Sequence, residues 1–207
     1  MKTSYAAATI VVLLSAAGLL DMGTAHALTE PEPTPPDLFF QRLLNACGKA
    51  FEGRIVANQP TPTTPDAFEG KALVMHVRDC SEREVRIPFH VGDDHSRTWV
   101  VTRTNHGLRL KHDHRHADGT SDAVTMYGGD SQGDGTEVRQ EFPVDAESIA
   151  LFEREGLMAS VSNVWAIEVD HSKDFVYELA RPGRLFRVAF DLTRPVPAPP
   201  APWGATR

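Results

Sequence analysis

Three histidines recur at every second position in one polar stretch of the chain: His112, His114 and His116. Alternate side chains of a β-strand lie on the same face, so this spacing predicts that the three imidazoles share one face. Leu108 and Leu110 have the same parity, and the histidines therefore continue the apolar, inward face of the predicted strand towards its end. Neutral imidazoles are good metal ligands and good proton carriers. This segment is the main concentration of chemistry in the sequence.

The histidine spacing predicts a site for a divalent transition metal, since Zn, Cu, Ni and Fe all accept imidazole nitrogen. Same-face neighbours on a strand lie about 7 Å apart, so two adjacent rings converge on one ion more easily than three. We expect at most two ligands from the strand and others from elsewhere, with His76 and His90 as possible donors. The predicted metal ligands are His112, His114, His116 and Asp118. A polar hairpin end, or a proton-transfer or ligand-contact role, is the alternative.

Gly107, His112, His114 and Asp118 resemble the first conserved motif of the cupins, which are metal-binding barrels with a His-x-His pair and a nearby Glu. Asp118 stands where that motif has Glu. The resemblance implies a metal-dependent enzyme that uses the same histidines. The wider stretch from residue 110 to 130 is similar to a segment of an uncharacterised family of exported bacterial proteins, and this second resemblance implies no particular activity.

The N-terminal segment has the pattern of an export signal. Lys2 supplies a positive start, residues 6 to 20 are apolar, and Ala25-His26-Ala27 matches a small-x-small cleavage site. The apolar stretch is short for a membrane span, which needs about 20 residues. The sequence therefore predicts a signal peptide over residues 1–27 and a secreted or periplasmic protein without a membrane span after cleavage.

The net charge indicates which partners the protein can bind, and the cysteine count indicates a disulfide. The formal net charge is −7, which argues against binding to nucleic acid or to anionic lipid and leaves a small molecule or a metal ion. Cys47 and Cys80 are the two cysteines of the chain. An even count in an oxidising compartment predicts one disulfide, with two free thiols as the alternative.

The predicted organisation is a single β-rich domain between two Pro-rich segments. Residues 28–36 read as an extended linker and residues 194–207 as a disordered, polyproline-like tail. Asp37 is the predicted N-cap of an amphipathic helix over about residues 38 to 50. The domain itself is expected to span residues 37–193.

Alternating apolar residues predict that most of this domain is β-structure. A second helix is expected after Asp145, ending at Gly156, and tight turns are expected at residues 105–107 and at Pro182-Gly183. The result is an all-β, mainly antiparallel meander of about 8–10 strands, in a barrel or sandwich, with one N-terminal and one inserted helix. A closed barrel is favoured because closure removes exposed strand edges. The predicted strands cover residues 51–58, 72–79, 85–91, 98–103, 108–115, 123–127, 137–142, 164–170, 175–180 and 185–192.

The sequence carries no serine-hydrolase elbow, zinc-protease helix, phosphate-binding loop or dinucleotide fingerprint. We therefore expect an exported, non-catalytic barrel that binds a small ligand or a metal ion, with the histidine cluster in or near the barrel mouth. The alternatives are a cupin-like metal-dependent enzyme and a structural or interaction protein of the cell envelope that has no small-molecule site.

Overall fold

The computed structural model describes residues 32–64 and 67–205. The predicted signal peptide, residues 1–27, lies outside the described residues. Within the described ranges, neither helix has the length and apolar character that a membrane span requires.

Antiparallel strands form a single sheet that curls into a nearly closed barrel. The strands are β1 (Ala50–Gln59), β2 (Leu73–His76), β3 (Asp79–Cys80), β4 (Glu84–Val91), β5 (Asp94–Thr104), β6 (Gly107–His114), β7 (Tyr127–Asp130), β8 (Arg139–Pro143), β9 (Val164–Val169), β10 (Asp174–Arg181) and β11 (Arg184–Val196). The sheet order is β7-β6-β5-β4-β2-β1-β11-β10-β9-β8, and β3 pairs with β4 outside this path. The first strand pairs with the last, so the two halves of the meander join across β1 and β11. The predicted all-β class with two helices is confirmed.

Alternation of side chains decides which face of each strand enters the barrel. In β11, Phe186, Val188 and Phe190 are buried inside, and the same period holds in β10 for Phe175 and Tyr177. The β10–β11 hairpin turns at Pro182-Gly183, where Gly183 has the positive φ of 72° that the predicted turn requires. The apolar pattern therefore fixes both the register and the inward face.

A helix fills the seam between β7 and β8, which form no ladder with each other within the described residues. This helix is α2 (Ala146–Arg154). The hydroxyl of Ser148 accepts a hydrogen bond from the backbone N–H of Gly128 (2.8 Å) and donates to its carbonyl (3.2 Å). A Cβ on Gly129 would overlap the carbonyl oxygen of Pro143. The absence of a side chain at Gly129 thus allows β7 to approach the end of β8.

The N-terminal helix, α1 (Pro35–Asn45), closes one end of the barrel. Its Phe39, Phe40 and Leu43 are fully buried. Arg103, near the end of β5, pairs with the Asp37 carboxylate of this helix, and its guanidinium lies 4.4 Å from the centre of the Phe40 ring.

The start of α1 corrects the sequence-based boundary. Thr34, not Asp37, is the N-cap, and its backbone N–H and hydroxyl donate to the Asp37 carboxylate at 3.0 and 2.6 Å. Pro35 and Pro36, placed in the linker by the sequence, form the first turn. A proline is well tolerated there because the first helical N–H groups have no partner within the helix.

Cys47 and Cys80 form the predicted disulfide, which joins the chain just after α1 to β3. The bond ties the helix that closes the barrel to the sheet beside it.

The C-terminal segment also differs from its prediction. Strand β11 continues to Val196, beyond the expected domain boundary at residue 193. The following residues lie on the outside of the barrel as far as Ala205, and the backbone N–H of Trp203 donates to the carbonyl of His95 at 3.0 Å. A polyproline-like chain lacks the hydrogen-bond ladder of a helix, so the position of this segment depends on such contacts with the sheet.

Candidate functional site

Strand β6 carries two of the three spaced histidines into the barrel. His112 is 3% exposed and follows the buried Leu108 and Leu110 on the same face. His114, the last residue of β6, is half-buried and lines the same cavity as His112.

His116 and Asp118 do not join this pair. Strand β6 ends at His114, and the chain then turns, with the N–H of His116 donating to the carbonyl of Thr120 at 2.8 Å. The exposed Asp118 accepts hydrogen bonds from the N–H and hydroxyl of Thr120 at 2.9 and 2.6 Å. The alternation that predicted a shared face is lost at this turn, so His116 and Asp118 do not line the cavity with His112 and His114.

The other histidines named from the sequence lie away from His112. His90 lies on the outward face of β4, where its Nδ1 is 2.6 Å from the Nδ1 of His95. One ring must donate this hydrogen bond and the other accept it. Among the described residues, no group of three His, Cys, Asp or Glu side chains is arranged to hold a metal ion.

The hydrogen bonds of His112 fix its tautomer. Its Nδ1 lies 3.1 Å from the backbone carbonyl of Tyr127, which only accepts, so Nδ1 carries the proton. Its Nε2 lies 2.9 Å from the hydroxyl of Tyr177 and therefore accepts from it. Burial lowers the pKa of His112 to about 3, so the ring is neutral at neutral pH. A metal ion on Nε2 would have to displace the tyrosine hydroxyl.

The neighbouring polar groups are also uncharged. The Nε2 of His114 lies 3.1 Å from the hydroxyl of Tyr127, and burial lowers the pKa of His114 to about 4. Burial raises the pKa of Tyr127 to about 12 and raises the pKa of Tyr177 well above its usual value. At neutral pH these four side chains offer hydrogen bonds without charge.

Stacked rings form the wall around these groups. The Trp99 ring stacks on Tyr177 at a centroid distance of 4.5 Å, with an angle of 18° between the planes. His112 stacks on Tyr127 at 4.7 Å and 11°, and the Trp165 ring lies 4.9 Å from His112. Five strands supply these rings, and together they present flat, largely apolar surfaces.

The rings surround a cavity of about 240 Å³ at the end of the barrel opposite α1. Arg97 lines this cavity, whereas Arg103, six positions further along β5, contacts α1. At about 3.3 Å per residue these two positions lie roughly 20 Å apart along the strand. The helix therefore covers one end of the barrel and the cavity occupies the other.

Three arginines line the mouth of this cavity: Arg97, Arg181 and Arg184. Arg97 is the register partner of His114, and Arg181 is that of Arg184. The lining contains no carboxylate among the described residues.

Sequence reasoning missed the arginines and the rings. The sequence pattern of residues 181–184 predicts a turn, and we did not assign its two arginines to the inner face. Arg181 has the parity of Tyr177 in β10, and Arg184 has the parity of Phe186 in β11. The rule that placed the histidines inward would also have placed these arginines inward.

No protein-family model, curated protein or solved structure matches the chain. The likenesses to the cupin motif and to exported bacterial proteins stay predictions, and the function is argued from the geometry of the cavity.

Proposed function

We propose that the protein binds a small, flat organic molecule in the cavity at the open end of the barrel, without converting it chemically. The observation that carries the proposal is the combination of stacked aromatic walls with a few inward hydrogen-bonding groups. Small-molecule sites are typically concave and largely apolar, with few polar groups that fix the orientation of the ligand.

The size of the cavity limits the ligand. A protein cavity of about 150 Å³ accommodates benzene, whereas drug-sized ligands occupy roughly 300–1,000 Å³. The volume of about 240 Å³ therefore suits one substituted ring or two fused rings. Such a molecule would lie flat against Trp99 or Tyr177.

The state of the histidines supports a binding role. A general base works best when its pKa is near the working pH, and burial lowers the pKa of His112 to about 3 and that of His114 to about 4. Each imidazole is also within hydrogen-bonding distance of a tyrosine hydroxyl. These rings are suited to orienting a ligand at neutral pH.

Isothermal titration calorimetry with two neutral probes, 2-naphthol and 2-naphthamide, tests the proposal. Leu179→Phe adds volume to a lining residue and should weaken both probes at least about tenfold, because the added ring occupies their space. Val56→Phe is the matched control, since Val56 is 46% exposed on β1 and lies outside the lining. The proposal is wrong if neither probe binds wild-type protein at about 1 mM, or if both variants bind alike.

Metal binding through His112 and His114 is the second form of the proposal, since both imidazoles line the cavity. Protein purified without a histidine tag and dialysed against Zn²⁺ should then retain near-stoichiometric metal, and replacing both histidines by Ala should remove it. If the double substitution leaves the metal content unchanged, metal binding through His112 and His114 is ruled out. A cupin-like enzyme requires the same bound metal, whereas a structural envelope protein requires neither the metal nor an aromatic ligand.

A further inference from the structure

We infer that the ligand is an anion, with a carboxylate or a similar planar acidic group that Arg181 and Arg184 bind at the mouth of the cavity. This inference rests on the proposed binding function and specifies the chemical class of the ligand.

The two arginines lie side by side. Arg181 ends β10 and Arg184 begins β11, and they are register partners across the turn at Pro182-Gly183. Directly opposed residues of antiparallel strands have Cα atoms about 4.5–5.5 Å apart. Both side chains line the cavity, so one ligand group can reach both guanidinium ions.

Neutral groups hold these two guanidinium ions in place. The Nη1 of Arg181 donates to Oδ1 of Asn163 at 3.1 Å. The Nη1 of Arg184 donates to Oδ1 of Asn58 at 2.6 Å and to the backbone carbonyl of Gln59 at 3.2 Å. Among the described residues, neither arginine forms an ion pair with a carboxylate. The two positive charges at the mouth are therefore not compensated there.

Other arginines of the barrel are compensated. Arg139 and Arg187, on the outer face, both pair with Glu168 and Glu178 at 2.5 to 3.2 Å. Arg97, the third arginine of the lining, pairs with Asp94 at 2.5 Å. In a chain with a net charge of −7, a cavity lined by arginines and by no described carboxylate has the opposite sign to the protein as a whole.

The donor groups suit a planar anion. A guanidinium has five N–H donors in a rigid fork, and asparagine engages Nη1 of each arginine, so other donors remain for a ligand. A carboxylate accepts two parallel hydrogen bonds from such a fork. The aromatic walls below the arginines would take the ring of the same molecule, with its acidic group turned to the mouth.

The test compares 2-naphthoate with 2-naphthamide, which have nearly the same shape but differ in charge. We expect wild-type protein to bind 2-naphthoate at least about tenfold more tightly in calorimetric titrations at low salt. The variant Arg181→Gln/Arg184→Gln should lose this preference and keep its affinity for 2-naphthamide, which also reports that the cavity is intact. Arg154→Gln is the control, because Arg154 is an exposed residue of α2 outside the lining.

The outcomes separate the inference from the proposed function. Equal affinity of wild-type protein for the two probes would overturn the inference and leave the binding function standing. A preference for 2-naphthoate that survives in the double variant would also overturn it, since the anion would then have another partner. Failure of both probes to bind would refute the proposed function itself.

Discussion

Replacing His112 by Gln should make the protein less sensitive to acid. The imidazole is buried, and burial lowers its pKa from 6.5 to about 3 in the folded protein. In the unfolded chain the ring is in water and regains its ordinary pKa of about 6.5. Between these two values the unfolded state binds a proton that the folded state excludes. Stability is therefore lost as the pH falls from about 6.5 towards 3.

The size of the effect follows from the two pKa values. Between about pH 6.5 and pH 4.5, His112 alone should remove about 2 kcal/mol of unfolding free energy. This is a large share of the roughly 5–15 kcal/mol that stabilises a typical domain. His90 and His114, whose pKa values burial lowers to about 4, add to the wild-type loss. We therefore compare the unfolding free energy that wild-type protein and the variant each lose on acidification.

Urea unfolding at the two pH values, followed by tryptophan fluorescence, measures this difference. Gln has an N–H to donate to the carbonyl of Tyr127 and an oxygen to accept from the hydroxyl of Tyr177, so the side chain of His112→Gln carries the donor and the acceptor for both hydrogen bonds. The variant should lose about 2 kcal/mol less than wild type on acidification. His116→Gln, which removes an exposed imidazole of the same segment, should behave as wild type. If His112→Gln and wild-type protein lose the same unfolding free energy, the conclusion that the His112 ring is buried and neutral is refuted.

Three further predictions concern the barrel itself. Gly129→Ala should lower the unfolding free energy by at least about 2 kcal/mol in urea titrations, because the new Cβ overlaps the carbonyl of Pro143. A variant as stable as wild-type protein would contradict the close approach of β7 to β8 at this point. Reduction of the Cys47–Cys80 disulfide should cost roughly 3–4 kcal/mol of stability in the same assay, and no change would mean that the loop it closes is already constrained. Truncation after Val196 should lower the melting temperature but leave the affinity for 2-naphthoate unchanged, since residues 197–205, the described part of the removed segment, do not line the cavity. An altered affinity would place the segment at the site.

Local patterns were sufficient for most elements of the fold. Alternation located most of the strands, but the strand predicted over residues 123–127 lies at Tyr127–Asp130 (β7), and β3 was not separated from β2. Asp145 marked the start of α2, where its carboxylate accepts from the backbone N–H of Ser148 at 2.8 Å. The turn at Pro182-Gly183 and the Cys47–Cys80 bond were also correctly inferred. Each of these features depends on neighbouring residues, or on the two cysteines alone.

The extent of the histidine cluster and the closure of the barrel depended on features that local patterns do not contain. Side chains alternate between two faces only within a strand. Because the chain turns after His114, His116 and Asp118 do not lie on the face that His112 and His114 share. Gly129 lets β7 approach β8 at Pro143, and Ser148 of α2 accepts a hydrogen bond from the backbone N–H of Gly128. Such contacts join distant parts of the chain, so the sequence alone did not reveal how the barrel closes.

A crystal structure of the complex with 2-naphthoate would test the central claim most directly. We expect the naphthalene ring to lie in the cavity beside Trp99 and Tyr177. We also expect carboxylate oxygens within about 3 Å of guanidinium nitrogens of Arg181 and Arg184. A ring bound on the outer face of the barrel, or a carboxylate turned away from both arginines, would contradict this binding mode.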